Sequence, residues 1–191
     1  DVVELPAGDV EIQNDIFSGF AMAMVSAVLL IYVVLVLLFQ DFFQPMTIMA
    51  SLPLSIGGAI LALILSGQPL GMFALIGIVM LMGLVTKNAI LLVEHCLQVR
   101  ETGTPRYEAL IEAGETRLRP ILMTTIAMIA GMVPIALGIG AGAEARAPMA
   151  IAVIGGLFSS TALTLVVVPV VYTLVDDLER KLKGLHTVTK Q

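Results

Sequence analysis

The sequence predicts an all-α membrane protein, a bundle of five transmembrane helices with one short helix on the cytoplasmic surface. Three observations carry this. Five apolar segments each hold enough residues to cross a hydrocarbon core of about 30 Å at ~1.5 Å per residue. Only 13% of the 191 residues are charged and mean hydropathy is +1.00, whereas soluble domains carry about 25% charged residues. The basic residues gather on one side of the predicted spans.

Residues 1–15 form an acidic opening, with Asp1, Glu4, Asp9, Glu11 and Asp15 and no basic residue. It leads directly into apolar sequence, without a signal-peptide pattern, and reads as the stub of a domain outside the membrane. The transmembrane bundle is expected over 16–175. Its first span, 16–39, is uncharged. A polar elbow at Gln40-Asp41 follows, and Pro45 opens the second span, 45–66, at a position that favours proline. Ser66-Gly67-Gln68-Pro69 reads as a tight turn. The third span, 70–96, contains Lys87.

Residues 99–119 are charged, with Tyr107, Leu110 and Ile111 on one helical face, so a separate amphipathic surface helix is expected at 104–116. Arg119-Pro120 then starts the fourth span, 120–139. Gly138, Gly140 and Gly142 mark a loose loop before the fifth span, 148–174. A charged tail, 176–191, closes the chain. Pro53, Pro134 and Pro169 lie within apolar segments and predict bends.

Eight of the ten Lys and Arg residues fall in the loop after the third span and in the tail. The positive-inside rule places both in the cytoplasm. Five crossings then put the N-terminus outside and the C-terminus inside. The acidic balance, net charge −5, argues against a nucleic-acid partner. Cys96 is the sole cysteine, so no internal disulfide forms.

Lys87 is the residue that the composition leaves unexplained. It stands within an uncharged stretch, Leu70 to Val93, where a lone ammonium costs ~2.5–3.5 kcal/mol. Taking the span as 71–93, Lys87 lies ~7.5 Å from its midpoint. Two readings stay open. The stem carries the amine to the headgroups, or the amine pairs with carboxylates on another helix and forms part of an ion relay. Met80, Gly83, Leu84, Leu91 and Glu94 share its helical stripe. Glu94 is ~10.5 Å away along the axis, too far to neutralise it. Asn88 adds a second strong polar group, or else bonds to a neighbouring helix.

Gly77 and Gly83 thin the third helix before Lys87, and Gly156, Ser160 and Thr164 form a small-residue line for close helix packing. Thr124 and Thr125 fit hydroxyls bonded one turn back. Arg117 and Arg119 fit anchors at the inner boundary. The 11 Met residues form no extended ladder with His or Cys, so no metal site is read here. Absence of a His-Glu-x-x-His, a Gly-x-Ser-x-Gly or a phosphate loop gives no support for an enzyme, and no bound cofactor is expected. The energy source would be an ion gradient or another polypeptide.

Gly83-Leu84-Val85-Thr86-Lys87-Asn88-Ala89-Ile90-Leu91-Leu92-Val93-Glu94 resembles a signature of the C-terminal half of resistance–nodulation–division (RND) efflux pumps. Arg117-Leu118-Arg119-Pro120-Ile121-Leu122-Met123-Thr124-Thr125 resembles a second, about thirty residues on as in that family. The likeness runs on through Pro53-Leu54, Gly155-Gly156 and Val168-Pro169 and covers nearly the whole chain. It is similar to the last five membrane helices of AcrB-type hydrophobe/amphiphile exporters, and the Lys-Asn pair favours that branch over heavy-metal pumps.

The resemblance implies a homotrimer in the bacterial inner membrane, with a periplasmic N-terminus and a cytoplasmic C-terminus, embedded in lipid and driven by a proton gradient. It implies a periplasmic adaptor and an outer-membrane channel as partners. Lys87, Asn88, Thr124 and Arg117 would belong to a transmembrane proton relay, with Lys87 facing an aspartate pair supplied by the N-terminal half of the same transporter. The other readings are a non-transporting scaffold subunit of a membrane complex and an RND relative moving lipids or metals.

Overall fold

The computed structural model describes the backbone of residues 7–188, and side chains at Ile12, residues 14–175 and Asp177. The acidic side chains of Asp1, Glu4, Asp9 and Glu11 and the basic ones of Arg180, Lys181, Lys183 and Lys190 lie outside the described residues. Every regular element described is a helix: α1 Ala7–Phe39, α2 Gln44–Met49, α3 Ser51–Ser66, α4 Met72–Glu101, α5 Arg106–Ala136 and α6 Ala143–Val188. α2 and α3 together make one span. Among the described residues, five spans are therefore long and apolar enough to cross a membrane.

The break inside the second span has a covalent cause. Pro53 has no N–H, and its ring collides with the carbonyl four residues back, which is Met49, where α2 stops. Restarting at Ser51 puts Pro53 in the first turn of α3, where a missing N–H costs little. The Ser51 and Ser55 hydroxyls donate to the Ile48 and Leu52 carbonyls at 2.7 Å each.

Turn chemistry follows the polar elbows. The Asp41 carboxylate accepts the Phe43 N–H at 3.0 Å, just before α2 begins with Pro45 near its start. α3 ends in a Schellman arrangement: Gln68 N–H donates to Leu63 O at 3.0 Å and Gly67 N–H to Ile64 O at 3.2 Å. This needs a left-handed residue, supplied by Gly67 at φ 66. Gly138, at φ 71, closes α5 in the same way.

Two expectations change. No separate surface helix at 104–116 precedes the fourth span. α5 runs unbroken from Arg106 to Ala136 with Pro120 inside it. The reason is packing. Ala109, Ala113, Ile121 and Thr125 are the buried residues of α5, spaced by four or eight, so one ridge engages neighbours on both sides of Pro120. The fifth helix is also longer than the 148–174 expected. It starts at Ala143 and continues to Val188. At ~1.5 Å per residue it outruns the hydrocarbon core.

α6 is the hub. α3, α4, α5 and α2 all pack against it, while among the described residues α1 lies along α2 and α4 only. One apolar cluster joins α3, α4 and α6 through Ala59, Leu63, Ile78, Leu81, Val153 and Leu157. A second gathers Ile48, Leu92, Cys96, Ala113, Val168 and Tyr172 at the other end of α4. That end is fastened by polar ties. Arg100 donates to the Tyr172 hydroxyl at 2.6 Å, and Arg106 pairs with Asp177 at 2.5 Å. The latter pair is partly exposed, so Arg106→Gln is expected to cost at most about 1 kcal/mol, and less at high salt. Thermal unfolding of the detergent-solubilised protein at low and high ionic strength checks this.

Candidate functional site

α4 is the most buried of the spans, and its few open positions fall on one stripe. Met80, Gly83, Lys87, Glu94 and Gln98 are exposed, with Leu84 and Leu91 half-buried between them. Residues spaced by three, four and seven share a helix face. Lys87 therefore lies in the middle of the open face of an otherwise packed helix. None of the described residues bonds or ion-pairs with it. Beside it runs a groove of about 370 Å³ between α1 and α4. Leu30, Val34 and Leu35 form its α1 wall, and Gly83, Thr86, Lys87 and Ile90 its α4 wall.

The lining is almost wholly apolar, so the amine is the one charge there. A Cβ built on Gly83 would meet nothing within 4 Å. Gly83 thus keeps the turn below Lys87 open and packs against no described neighbour, unlike the contact role expected from the sequence. Thr86 is buried, and its hydroxyl donates to Met82 O at 2.6 Å. Asn88, the next residue round, turns to the packed side and is only 5% exposed. The pair is therefore split between two faces of the helix.

α5 carries the other two expected residues. Thr124 is exposed, and its hydroxyl donates back to Ile121 O at 2.9 Å and Pro120 O at 3.1 Å. Arg117 sits in the i+4 ridge between Ala113 and Ile121. It is half-buried, and its Nε is buried without a hydrogen-bond partner among the described residues. An unmet buried donor of this kind costs roughly 1–3 kcal/mol. Lys87 and Thr124 thus lie on open faces of different helices, and no hydrogen bond among the described residues joins Lys87, Asn88, Arg117 and Thr124 to one another.

The small residues act at the hub. A Cβ at Gly77 would come 2.8 Å from Met149 O, and one at Gly156 2.0 Å from Leu81 Cδ2. Ser160 is buried, with its hydroxyl on Leu157 O at 3.2 Å. Gly58 and Gly155 bring α3 and α6 into close contact; sequence reasoning named Gly155 only within the resemblance and gave neither a packing role. It also missed the buried Thr125–Thr161 pair, whose hydroxyls lie 3.0 Å apart. The fourfold spacing from Ala109 to Thr125 was the available signal. His95, with both ring nitrogens buried, and the buried Gln44 Oε1 and Thr47 Oγ1, all without a hydrogen-bond partner among the described residues, were not foreseen either.

Comparison with known proteins places the chain among membrane transporters. A model of the AcrB/AcrD/AcrF family matches residues 5–176. The chain is 42% identical over 171 residues to the swarming motility protein SwrC of Bacillus subtilis, covering 89% of this chain and 16% of that protein. It is 44% identical over 166 residues to the multidrug resistance protein MdtC of Erwinia tasmaniensis, covering 86% of this chain and again 16% of the relative. Among solved structures, a heavy-metal efflux pump superposes with TM-score 0.73 at 33% identity, over 82% of this chain and 16% of that one. The chain therefore spans about one sixth of the length of these relatives.

Proposed function

The chain belongs to the AcrB/AcrD/AcrF family of RND efflux transporters, and from that premise we propose that it is the lysine-bearing membrane portion of a proton-driven multidrug exporter, exchanging drug for protons across the bacterial inner membrane. One observation carries the reading: Lys87 occupies the open stripe of the most buried span, with no described residue paired to it. An amine at that depth gains most from a carboxylate. The N-terminal half of the same transporter would supply that carboxylate. In this arrangement an acid beside Lys87 is held ionised by the ion pair in a low dielectric, and protonation cancels the attraction.

That charge event biases two packings of the helices. Thr124, exposed on α5, would contact the same incoming half. Arg117 would mark the cytoplasmic mouth of the relay, and Asn88 would hold α4 on its packed side. The assembly would be a homotrimer with a periplasmic N-terminus and a cytoplasmic C-terminus, joined to an adaptor and an outer-membrane channel. The name of the multidrug resistance relative supports an organic substrate. The likeness to a heavy-metal efflux pump favours a second reading, metal export through the same relay.

Reconstitution of the full-length transporter in liposomes enclosing a pH-sensitive dye tests both readings. Drug addition should dissipate an imposed proton gradient, and Zn²⁺ should not. Dissipation by Zn²⁺ alone would select the metal reading. Full-rate export without any proton gradient would overturn the relay.

A further inference from the structure

Thr125 and Thr161 are polar, buried and unused by the relay. Each is at most 5% exposed, and their hydroxyls lie 3.0 Å apart across the α5–α6 contact. Adjacent on the same helix, Thr124 bonds back into its own backbone, whereas Thr125 bonds outward to α6.

The contrast matters because α5 buries few of its side chains. Besides Thr125, its buried residues are Ala109, Ala113 and Ile121. Contacts of small and aliphatic side chains are non-directional and permit a helix to roll or slide. A hydroxyl–hydroxyl bond between two helices is directional, and in a medium without water its loss is not made good by solvent.

We propose that the Thr125–Thr161 bridge is a positioning pair that sets the rotation of α5, aiming Thr124 at the open side of the bundle and holding Arg117 in the ridge. Successive residues differ by ~100° around a helix, so pinning Thr125 against α6 fixes the direction of Thr124. Arg117 lies eight residues before Thr125, only ~80° round the helix, so the same pin also governs its placement. The proposal rests on the relay reading for its functional consequence, while the geometry it describes stands apart from that reading.

The test uses the full-length transporter carrying Thr124→Cys, with site-specific alkylation by N-ethylmaleimide read by mass spectrometry. Adding Thr125→Val, which keeps the side-chain shape and removes the hydroxyl, is expected to change the alkylation rate about three- to tenfold. Thr125→Ser should restore it. Thr161→Val reaches the bridge from α6 and should reproduce the change, with the double variant no worse than either single one.

With Thr124 intact, Thr125→Val should lower the maximal export rate by a similar factor and leave the half-saturating drug concentration and protein abundance unchanged, again with rescue by Ser. An unchanged alkylation rate in both Val variants, or Val effects that add, would overturn the bridge. Failure of the relay reading is separate: it shows as normal export by Lys87→Met, whatever the alkylation result.

Discussion

Replacing Lys87 by Met in the full-length transporter is expected, under the relay reading, to reduce export to below about 1% of the unsubstituted rate while leaving assembly intact. The magnitude follows from the pair proposed for it. Without the amine the acid loses an attraction of about 3–5 kcal/mol that its protonation would otherwise switch, and ~1.4 kcal/mol is a tenfold change in rate. The fold should survive because Lys87 supports none of it. It is exposed, no described residue pairs with it, and a methionine stem fits the apolar groove of Leu30, Val34 and Ile90.

Lys87→Arg divides charge from shape. Guanidinium keeps the charge but presents a planar fork, so this variant should retain assembly and recover only a small part of transport. Export and size-exclusion profiles, measured together, decide the matter. Normal export by Lys87→Met would show an amine that reaches the headgroups and takes no part in coupling. Loss of assembly would assign Lys87 a structural place instead.

What was readable beforehand follows from how local each determinant is. The five spans depend on runs of apolar residues, and the turns on Asp41, Gly67 and Pro45, all of which act within a few positions. The stripe of Met80, Gly83, Lys87 and Glu94 came from helical period alone, and the structure shows it as the open face of α4. Pro53 announced a bend, and the chain breaks one turn before it.

Pro120 misled because proline disfavours a helix interior while tertiary packing can override it. The ridge from Ala109 to Thr125 engages neighbours on both sides of it, and a sequence of single residues does not state where a neighbouring helix will be. For the same reason the fourfold spacing that ends at Thr125 points to a buried hydroxyl but not to Thr161, thirty-six residues on, as its partner. Gly83 and Gly77 read alike as small residues, yet one faces open space and the other meets a backbone carbonyl.

That difference between glycines leads to the other large effect. Gly155→Leu is expected to prevent α3 from seating on α6 and to leave little folded protein. A Cβ alone at Gly155 would stand 2.1 Å from Ala62 Cβ and 3.0 Å from Gly58 O, and one at Gly58 2.2 Å from Ser159 Cβ. These are backbone-level contacts with no flexible side-chain end to yield, so the helices must separate. Even Gly155→Ala, which gains roughly 1 kcal/mol of helix propensity, should be net destabilising, because overpacking costs about 1–3 kcal/mol and the separation also weakens the cluster of Ala59, Leu63, Val153 and Leu157.

Gly83→Leu is the matched control on the open stripe. A Cβ there meets nothing within 4 Å among the described residues and opens onto the groove beside α1, so the bundle should fold, but the added side chain fills the turn below Lys87. Under the relay reading that side chain blocks the incoming half, and export falls while the amount of protease-resistant bundle stays the same. Limited proteolysis of detergent-solubilised protein, scored beside export, separates the two outcomes. A Gly155→Leu protein as resistant as the unsubstituted one would mean that α3 and α6 do not approach this closely. A Gly83→Leu protein with undiminished export would mean that no helix comes to rest on the open face of α4.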